Sequence, residues 1–199
     1  MKQQPVLRTE RLTLRPFEET DAPAVQRLAG EYEIALNTLS VPHPYPDGAA
    51  EQWIAAQREA FEKDTLHNFA AVAEGELVGS IGLMMKGDAI AEIGYWIGKP
   101  FWGRGYASEA AAAVVRYGFE TCNLHRIYAD YFARNPGSGR VMQKLGMKYE
   151  GTLRQHIHKW GEYVDVIYYG LLRDEWLSSA TLVSGTPRGA GDERNSAGR

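Results

Sequence analysis

The stretch AEIGYWIGKPFWGRGYASEA (Ala91–Ala110) decides how the rest of the chain is read. Its first part has a period of two. Ala91, Ile93, Tyr95 and Ile97 share one face, and Glu92, Gly94 and Trp96 share the other, as in a strand within a sheet. Its last part opens an alanine-rich run, SEAAAAVVRYGFET, with the composition of a helix. Between them Gly103 and Gly105 flank Arg104. A helix starting between Arg104 and Ala107 leaves its first N–H groups without intrahelical partners. The glycines lack the Cβ that would keep an oxyanion away from the main chain, and the helix dipole and Arg104 add positive charge. Trp102, Gly103, Arg104, Gly105, Tyr106, Ala107 and Ser108 therefore form a candidate phosphate cradle. Spacing alone fits a plain helix-start turn equally well. Ala107 and Ala110–Ala113 keep the helix thin and able to lie close to a sheet.

Upstream, HNFAAVAEG and ELVGSIGLMM are strands that turn at Glu74–Gly75 as a hairpin. A second turn at Gly87–Asp88 leads into the strand Ile90–Gly98. Near the N-terminus, RLTLRPF (Arg11–Phe17) alternates like a half-buried strand. EETDAPAVQRLAG is a helix with Thr20 or Asp21 at its cap, Pro23 in its first turn and Gly30 at its stop. LSVPHPYPDG (Leu39–Gly48) is an irregular loop. AAEQWIAAQREAFEK is helical, with Trp53, Ala56, Ala60 and Phe61 near one face. Downstream come a strand, HRIYADYFARN (His125–Asn135), a short helix stopped by Gly146, and two strands joined near Trp160–Gly161. The order predicts a mixed α/β fold: a largely antiparallel sheet of about seven strands with helices on both faces. Residues 1–180 are expected to form a single domain. Residues 181–199, rich in Gly, Ser, Pro and charge, are expected to be a disordered tail.

Composition excludes several classes. The 22 basic and 25 acidic residues give a net charge of −3, far from the basic footprint of a nucleic-acid binder. The longest wholly apolar run, Ala110–Val115, is much shorter than a membrane span. The charged start MKQQPVLRTERL has no apolar signal core. Cys122 is the single cysteine, so no intrachain disulfide forms. The expectation is a cytoplasmic protein without nucleic-acid or membrane partners, as a monomer or homodimer. A dinucleotide fingerprint needs an early βαβ unit, and here Ser108 holds the third glycine's place. The phosphate loop G-x-x-x-x-G-K-[ST] does not occur.

Four stretches, taken together and in order, resemble the GNAT superfamily of acetyl-CoA-dependent N-acetyltransferases, and more narrowly its ribosomal-protein-alanine N-acetyltransferase branch. They are TERLTLRPFEETDA (Thr9–Ala22), Ala91–Ala110, ARNPGSGRVMQKLGMKYEGTLR (Ala133–Arg154) and WGEYVDVIYYGLLRDEW (Trp160–Trp176). Gly105 and Ala107 match the last two positions of the family's [Q/R]-x-x-G-x-[G/A] pattern, and Trp102 stands where Gln or Arg is usual. The resemblance implies acetyl-CoA as cosubstrate, with its pyrophosphate on the loop Trp102–Ser108. It also implies a splay between the family's fourth and fifth strands, here Ile90–Gly98 and Arg126–Ala133. Tyr95, Trp96 and Ile97 would offer main-chain groups to the acetyl and pantetheine end, Gly94 a local bulge, Asn135 a hydrogen bond to a pantetheine amide, and Ser138 a hydroxyl near the sulfur. Asn135-Pro136 is also ordinary turn chemistry, and Ser138 also suits a helix start.

Moving an acetyl group from a thioester to an amine requires a neutral amine, donors for the oxyanion and a proton for the thiolate. Glu92, a carboxylate within an apolar strand, is the candidate base, acting directly or through water; an interstrand salt bridge is its alternative reading. The N–H groups of Ile93 to Trp96 are the candidate oxyanion donors, and Ser138 the candidate acid. Cys122 reads as a small buried filler. His156 and His158 share a strand face without a third ligand at recognisable spacing, so no metal is expected; lining an acceptor cleft is the other reading, as it is for the loop His43–Pro46. The acceptor implied by the branch is a protein N-terminal amine. A polyamine, an aminoglycoside-like amine, a non-catalytic acetyl-CoA sensor and a nucleotide-binding module are the competing readings.

Overall fold

The computed structural model describes residues 3–184. One sheet of eight strands runs through the molecule in the order β1-β2-β3-β4-β5-β6-β8-β7. The strands are β1 (Leu7–Arg8), β2 (Leu12–Arg15), β3 (Leu66–Ala73), β4 (Glu76–Gly87), β5 (Ile90–Ile97), β6 (Arg126–Phe132), β7 (Lys148–Lys159) and β8 (Glu162–Leu172). Every neighbouring pair is antiparallel except β5 and β6, which run parallel. The helices are α1 (Ala22–Ala29), α2 (Tyr32–Asn37), α3 (Ala49–Glu62), α4 (Tyr106–Glu120), α5 (Pro136–Lys144) and α6 (Arg173–Ser184). No helix among the described residues is long and apolar enough to cross a membrane.

The expected mixed fold with two helical layers holds, with eight strands instead of about seven. The added strand is β1, two residues long and too short to show a period. The hairpin β3–β4 turns at Glu74 and Gly75, both at positive φ (52° and 83°), the geometry that matches the twist of the flanking strands. The turn before β5 falls at Asp88–Ala89, both left-handed, one residue later than expected. Gly94 marks no bulge. It pairs in register with Gly82, and the register shift in this pair of strands lies at Met85–Gly87. The helices α2 and α6 are additional to the sequence expectation. Helix α6 takes in residues 181–184 of the segment expected to be disordered, and the remainder, 185–199, lies outside the described residues.

Helix α4 covers one face of the sheet. Ala110, Ala111 and Val114 are fully buried against Leu83, Ile93 and Ile127. A Cβ built on Gly118 would come within 2.8 Å of Ile127 and 3.0 Å of Leu83, so the small residues of this helix set how closely it lies on the sheet. Helices α1 and α3 cover the other face through Ala22, Val25, Ala50 and Ile54, against Ala70 and Leu77. The buried face of α3 is Ala50, Ile54, Gln57 and Phe61, rotated from the expected one. Ala56 is exposed, and Gln57 is tolerated inside because its side chain bonds Trp53 O and Asn68. His67 is buried between Asp64 and Tyr117, 2.8 Å from each. Half-buried Cys122 brings its sulfur to 3.5 Å from the same imidazole, at the edge of the core.

Asp21 does not cap α1 with its side chain. Its buried carboxyl accepts two hydrogen bonds from Arg15 (2.7 and 2.8 Å) and one from the Glu18 N–H (2.8 Å). Burial pushes this carboxyl up, but the Arg15 guanidinium and the Glu18 amide outweigh burial and hold it below the usual aspartate range. Folding thus lowers its pKa, so its stabilisation is present above the unfolded-state value of about 3.9 and is lost as pH falls through the folded value. Asp21→Asn is expected to cost about 1.5–3 kcal/mol at pH 7. In urea titrations the gap to wild type should close as pH drops below 4; a gap constant with pH would take the charge out of the account.

Candidate active site

Strands β5 and β6 pair only at Ile90–Arg126, Ala91–Ile127 and Glu92–Tyr128. Beyond that point they part, while β5 stays bonded to β4 as far as Ile97. The β6-facing edge of Ile93–Ile97 is left without strand partners. A cleft of about 1110 Å³ opens there. The splay expected between these strands is present.

The cleft wall collects Glu92, Tyr95, Trp96, Ile97, Trp102, Gly103, Gly105, Tyr106, Ala107, Ser108, Asn135 and Ser138. Of the residues named from sequence for catalysis or acetyl-CoA, Arg104 alone is off the wall. Its guanidinium donates to Pro100 O (3.2 Å) and lies over the Phe101 ring. Asn135 caps α5, its Oδ1 accepting from Ser138 N–H (3.3 Å), so the turn-chemistry reading holds while the residue also lines the cleft. The Ile97 carbonyl accepts from the Trp102 indole N–H. The Ser138 hydroxyl lies 2.7 Å from the Tyr95 hydroxyl, which also donates to Ser138 O. Burial pushes the Tyr95 phenol up to about 12, against the lowering effect of Ser138, so it remains a neutral donor at working pH.

The glycine loop is built as a turn into α4. Gly103 and Gly105 have φ of 75° and 82°, and Gly105 is the N-cap of α4 without a side-chain cap bond. The turn is tied to the N-terminus of the chain. Glu109, in the first turn of α4, accepts from Thr9 Oγ1 (2.6 Å), from the Arg11 N–H (2.8 Å) and from the Arg11 guanidinium (2.7 Å). Arg11 also donates to Arg104 O and stacks on Tyr106. Sequence reading missed Arg11, because its partner Glu109 is distant in sequence. Arg140 and Lys144, on α5 beside α4, are also on the wall.

The other end of the cleft is acidic and aromatic. Glu92 lies at the apex of the splay. It forms an ion pair with Lys86 (2.8 Å) and accepts from the Tyr128 hydroxyl (3.2 Å). The salt-bridge reading of Glu92 is realised, and the residue also lies on the cleft wall. Asp130, two residues along the same face of β6 from Tyr128 and opposite Tyr168 on β8, also lines the cleft. Burial first, then the Glu92 charge, pushes its carboxyl up to about 6, against Lys86 and His156. Sequence reading missed Asp130 because RIYADYF alternates like any half-buried strand. His156 lines the cleft, whereas His158 packs on Tyr163. The described residues include no cluster of three or more His, Cys, Asp or Glu side chains placed to hold a metal. Pro42 and Tyr45 reach the wall, while His43 packs with Tyr32 and Trp160.

Residues 11–148 match the sequence model of the Acetyltransferase (GNAT) domain family. The N-acetyltransferase YnaD of Bacillus subtilis is 36% identical over 172 residues, covering 84% of this chain and 97% of that protein. A GNAT-family acetyltransferase from Bacillus anthracis, solved by crystallography, is 32% identical, with a TM-score of 0.77 over 86% of this chain and all of that one. RimL, a ribosomal L7/L12 alpha-N-protein acetyltransferase solved with coenzyme A, shares the fold at 19% identity. Its TM-score is 0.78 over 86% of this chain and 99% of that one.

Two glycines on the cleft wall should respond differently to a methyl group. Gly105→Ala forces a side chain into the left-handed region and sets its Cβ 3.3 Å from Arg11, at an expected cost of about 1–2 kcal/mol. A Cβ on Gly94 meets nothing within 4 Å, and Gly94→Ala should stay within about 0.5 kcal/mol of wild type. Urea unfolding of both variants checks this; equal losses would contradict the open space at Gly94.

Proposed function

The chain belongs to the GNAT acetyltransferase family and is an acetyl-CoA-dependent N-acetyltransferase; from that premise we propose that its acceptor is a protein N-terminal amine, acetylated by direct attack in a ternary complex. One observation carries the choice of acceptor. Three carboxylates line the cleft: Glu33, Glu92 and Asp130. Glu33 is paired with Lys99 and Glu92 with Lys86. Only Asp130 is without a cationic partner among the described residues. A wall with one uncompensated carboxyl suits one ammonium group on an otherwise weakly charged acceptor. A polyamine or aminoglycoside carries several cations and would leave most of them unpaired.

The cleft fits acetyl-CoA. Left-handed glycines and the open N-terminus of α4 suit a pyrophosphate, with Gly103, Gly105, Tyr106, Ala107 and Ser108 around it and Arg140 and Lys144 supplying charge. The unpaired edge of β5 at Tyr95 and Trp96 suits the amides of pantetheine. Bound there, acetyl-CoA supplies an activated acyl group. Those N–H groups of Ile93 to Trp96 that point away from β4 would hold the carbonyl oxygen, and the Ser138 hydroxyl, backed by Tyr95, would protonate the sulfur. The ammonium proton is lost at the carboxylate end, where Glu92 and Asp130 face the acceptor.

Thiol release from acetyl-CoA across a panel of amines tests this reading: peptides beginning with Ala, Ser or Met, free amino acids, spermidine and kanamycin. Release with one class of peptide and little with the small amines is the expected result. Release with spermidine or kanamycin alone would replace the N-terminal acceptor with a polycation.

A further inference from the structure

We propose that Asp130, not Glu92, is the general base, and that Glu92, held by Lys86, is the positioning residue beside it. The inference rests on the acetyltransferase reading of this cleft. Glu92 is already committed: Lys86 is 2.8 Å from its Oε2, and the Tyr128 hydroxyl donates to the same oxygen. An incoming ammonium group would have to displace or share these two contacts to reach that oxygen. Asp130 is the opposite case. Its half-buried carboxyl faces the cleft, and no group among the described residues hydrogen-bonds or ion-pairs with it. An unpartnered carboxyl at such a place is costly unless something that enters the cleft completes it.

The groups around Asp130 set its proton affinity. Glu92 on β5 and burial favour the protonated form; Lys86 on β4 and His156 on β7 favour the charged form. Tyr128 on its own strand and Tyr168 on β8 add neutral walls, stacked 6.4 Å apart. The resulting affinity, near pH 6, suits a base that must take a proton from an ammonium ion and return it to water near neutrality.

The step balances as follows. One N–H bond of the acceptor ammonium breaks, its proton forms an O–H bond on Asp130, and the electron pair stays on nitrogen. That pair then forms the N–C bond as the C–S bond breaks, and the sulfur leaves with the C–S pair. A second proton from the nitrogen ends on the sulfur, giving the amide and the free thiol. Asp130 returns its proton to solvent.

The test combines two readouts on the full chain. Carboxyl ¹³C NMR titration of the substrate-free protein should place Asp130 near 6. Its midpoint should fall in Glu92→Gln and rise in Lys86→Met, because these variants remove the charges that raise and lower it. Kinetics with acetyl-CoA and the peptide amine that is turned over best should show an acid limb in kcat/KM at the Asp130 midpoint. Asp130→Asn should lose about 100-fold or more in kcat with acetyl-CoA affinity unchanged. Glu92→Gln should lose about tenfold, with the limb shifted to lower pH. The assignment is overturned if Asp130 titrates at an ordinary aspartate value, or if Glu92→Gln abolishes turnover while Asp130→Asn keeps it. Wild-type silence with every amine would instead sink the acceptor reading, and the NMR midpoint would still decide whether Asp130 is poised as a base.

Discussion

Strands β5 and β6 can remain paired only as far as Glu92 and Tyr128, and the site follows from that parting. In a closed sheet the main-chain groups of Ile93–Ile97 would be satisfied on both sides. Here β4 satisfies one side and leaves the other to face a cleft. Unpaired amide groups in a half-dry groove are costly unless water or a ligand meets them, so the splay makes the sheet itself a binding surface. It also places the carboxylates: Glu92 belongs to the last paired position, and Asp130 stands one step beyond it, where β6 has begun to diverge.

The parting needs both strands held from outside. On the β5 side, the loop and α4 provide the anchor. Thr9 and Arg11 grip Glu109 in the first turn of α4. Burial would push the Glu109 carboxyl up, but those donors outweigh it and keep the carboxyl low. The Arg11 guanidinium that completes this grip also holds Arg104 O, so the glycine turn is fixed from the N-terminal strand region. On the β6 side, β8 pairs along the whole strand, and α5 begins at the Asn135 cap just after it. Both strands are thus held on their outer sides where they separate.

Much of this was legible in the chain, for physical reasons that differ by element. The strand β5 and its turn into α4 announce themselves because a period of two gives way to left-handed glycines and then to alanines that must lie close to a sheet. Glu92 stands out because a carboxylate interrupts an apolar strand. The same logic misses Asp130, whose neighbours Tyr128, Tyr131 and Tyr168 make a polar strand face unexceptional; its significance comes from what surrounds it in space. Arg104 looked like the charge of the cradle, yet its guanidinium turns to Pro100 O and the Phe101 ring, its carbonyl is held by Arg11, far away in sequence, and the cations on the wall are Arg140 and Lys144. The helix α2 is only six residues long, below the length at which periodicity speaks, and it is stabilised by long-range contacts.

Those contacts explain why the acceptor side of the cleft has a shape at all. Arg134, just beyond β6, donates to Leu36 O (2.8 Å) in the last turn of α2, and Lys159, at the end of β7, donates to the Thr38 and Leu39 carbonyls. Two cations thus satisfy carbonyls at a helix C-terminus, where the helix dipole favours positive charge. Burial and the neighbouring Arg134 push the Lys159 ammonium down. Beside them Tyr32 stacks on Trp160 at the tip of the β7–β8 hairpin, 5.5 Å between centroids. The hairpin is thereby fastened across to α2, and His156 on its outer strand, β7, lines the same cleft as Asp130. This wall of the cleft is thus fastened at three points: Arg134 on Leu36 O, Lys159 on the Thr38 and Leu39 carbonyls, and Tyr32 on Trp160.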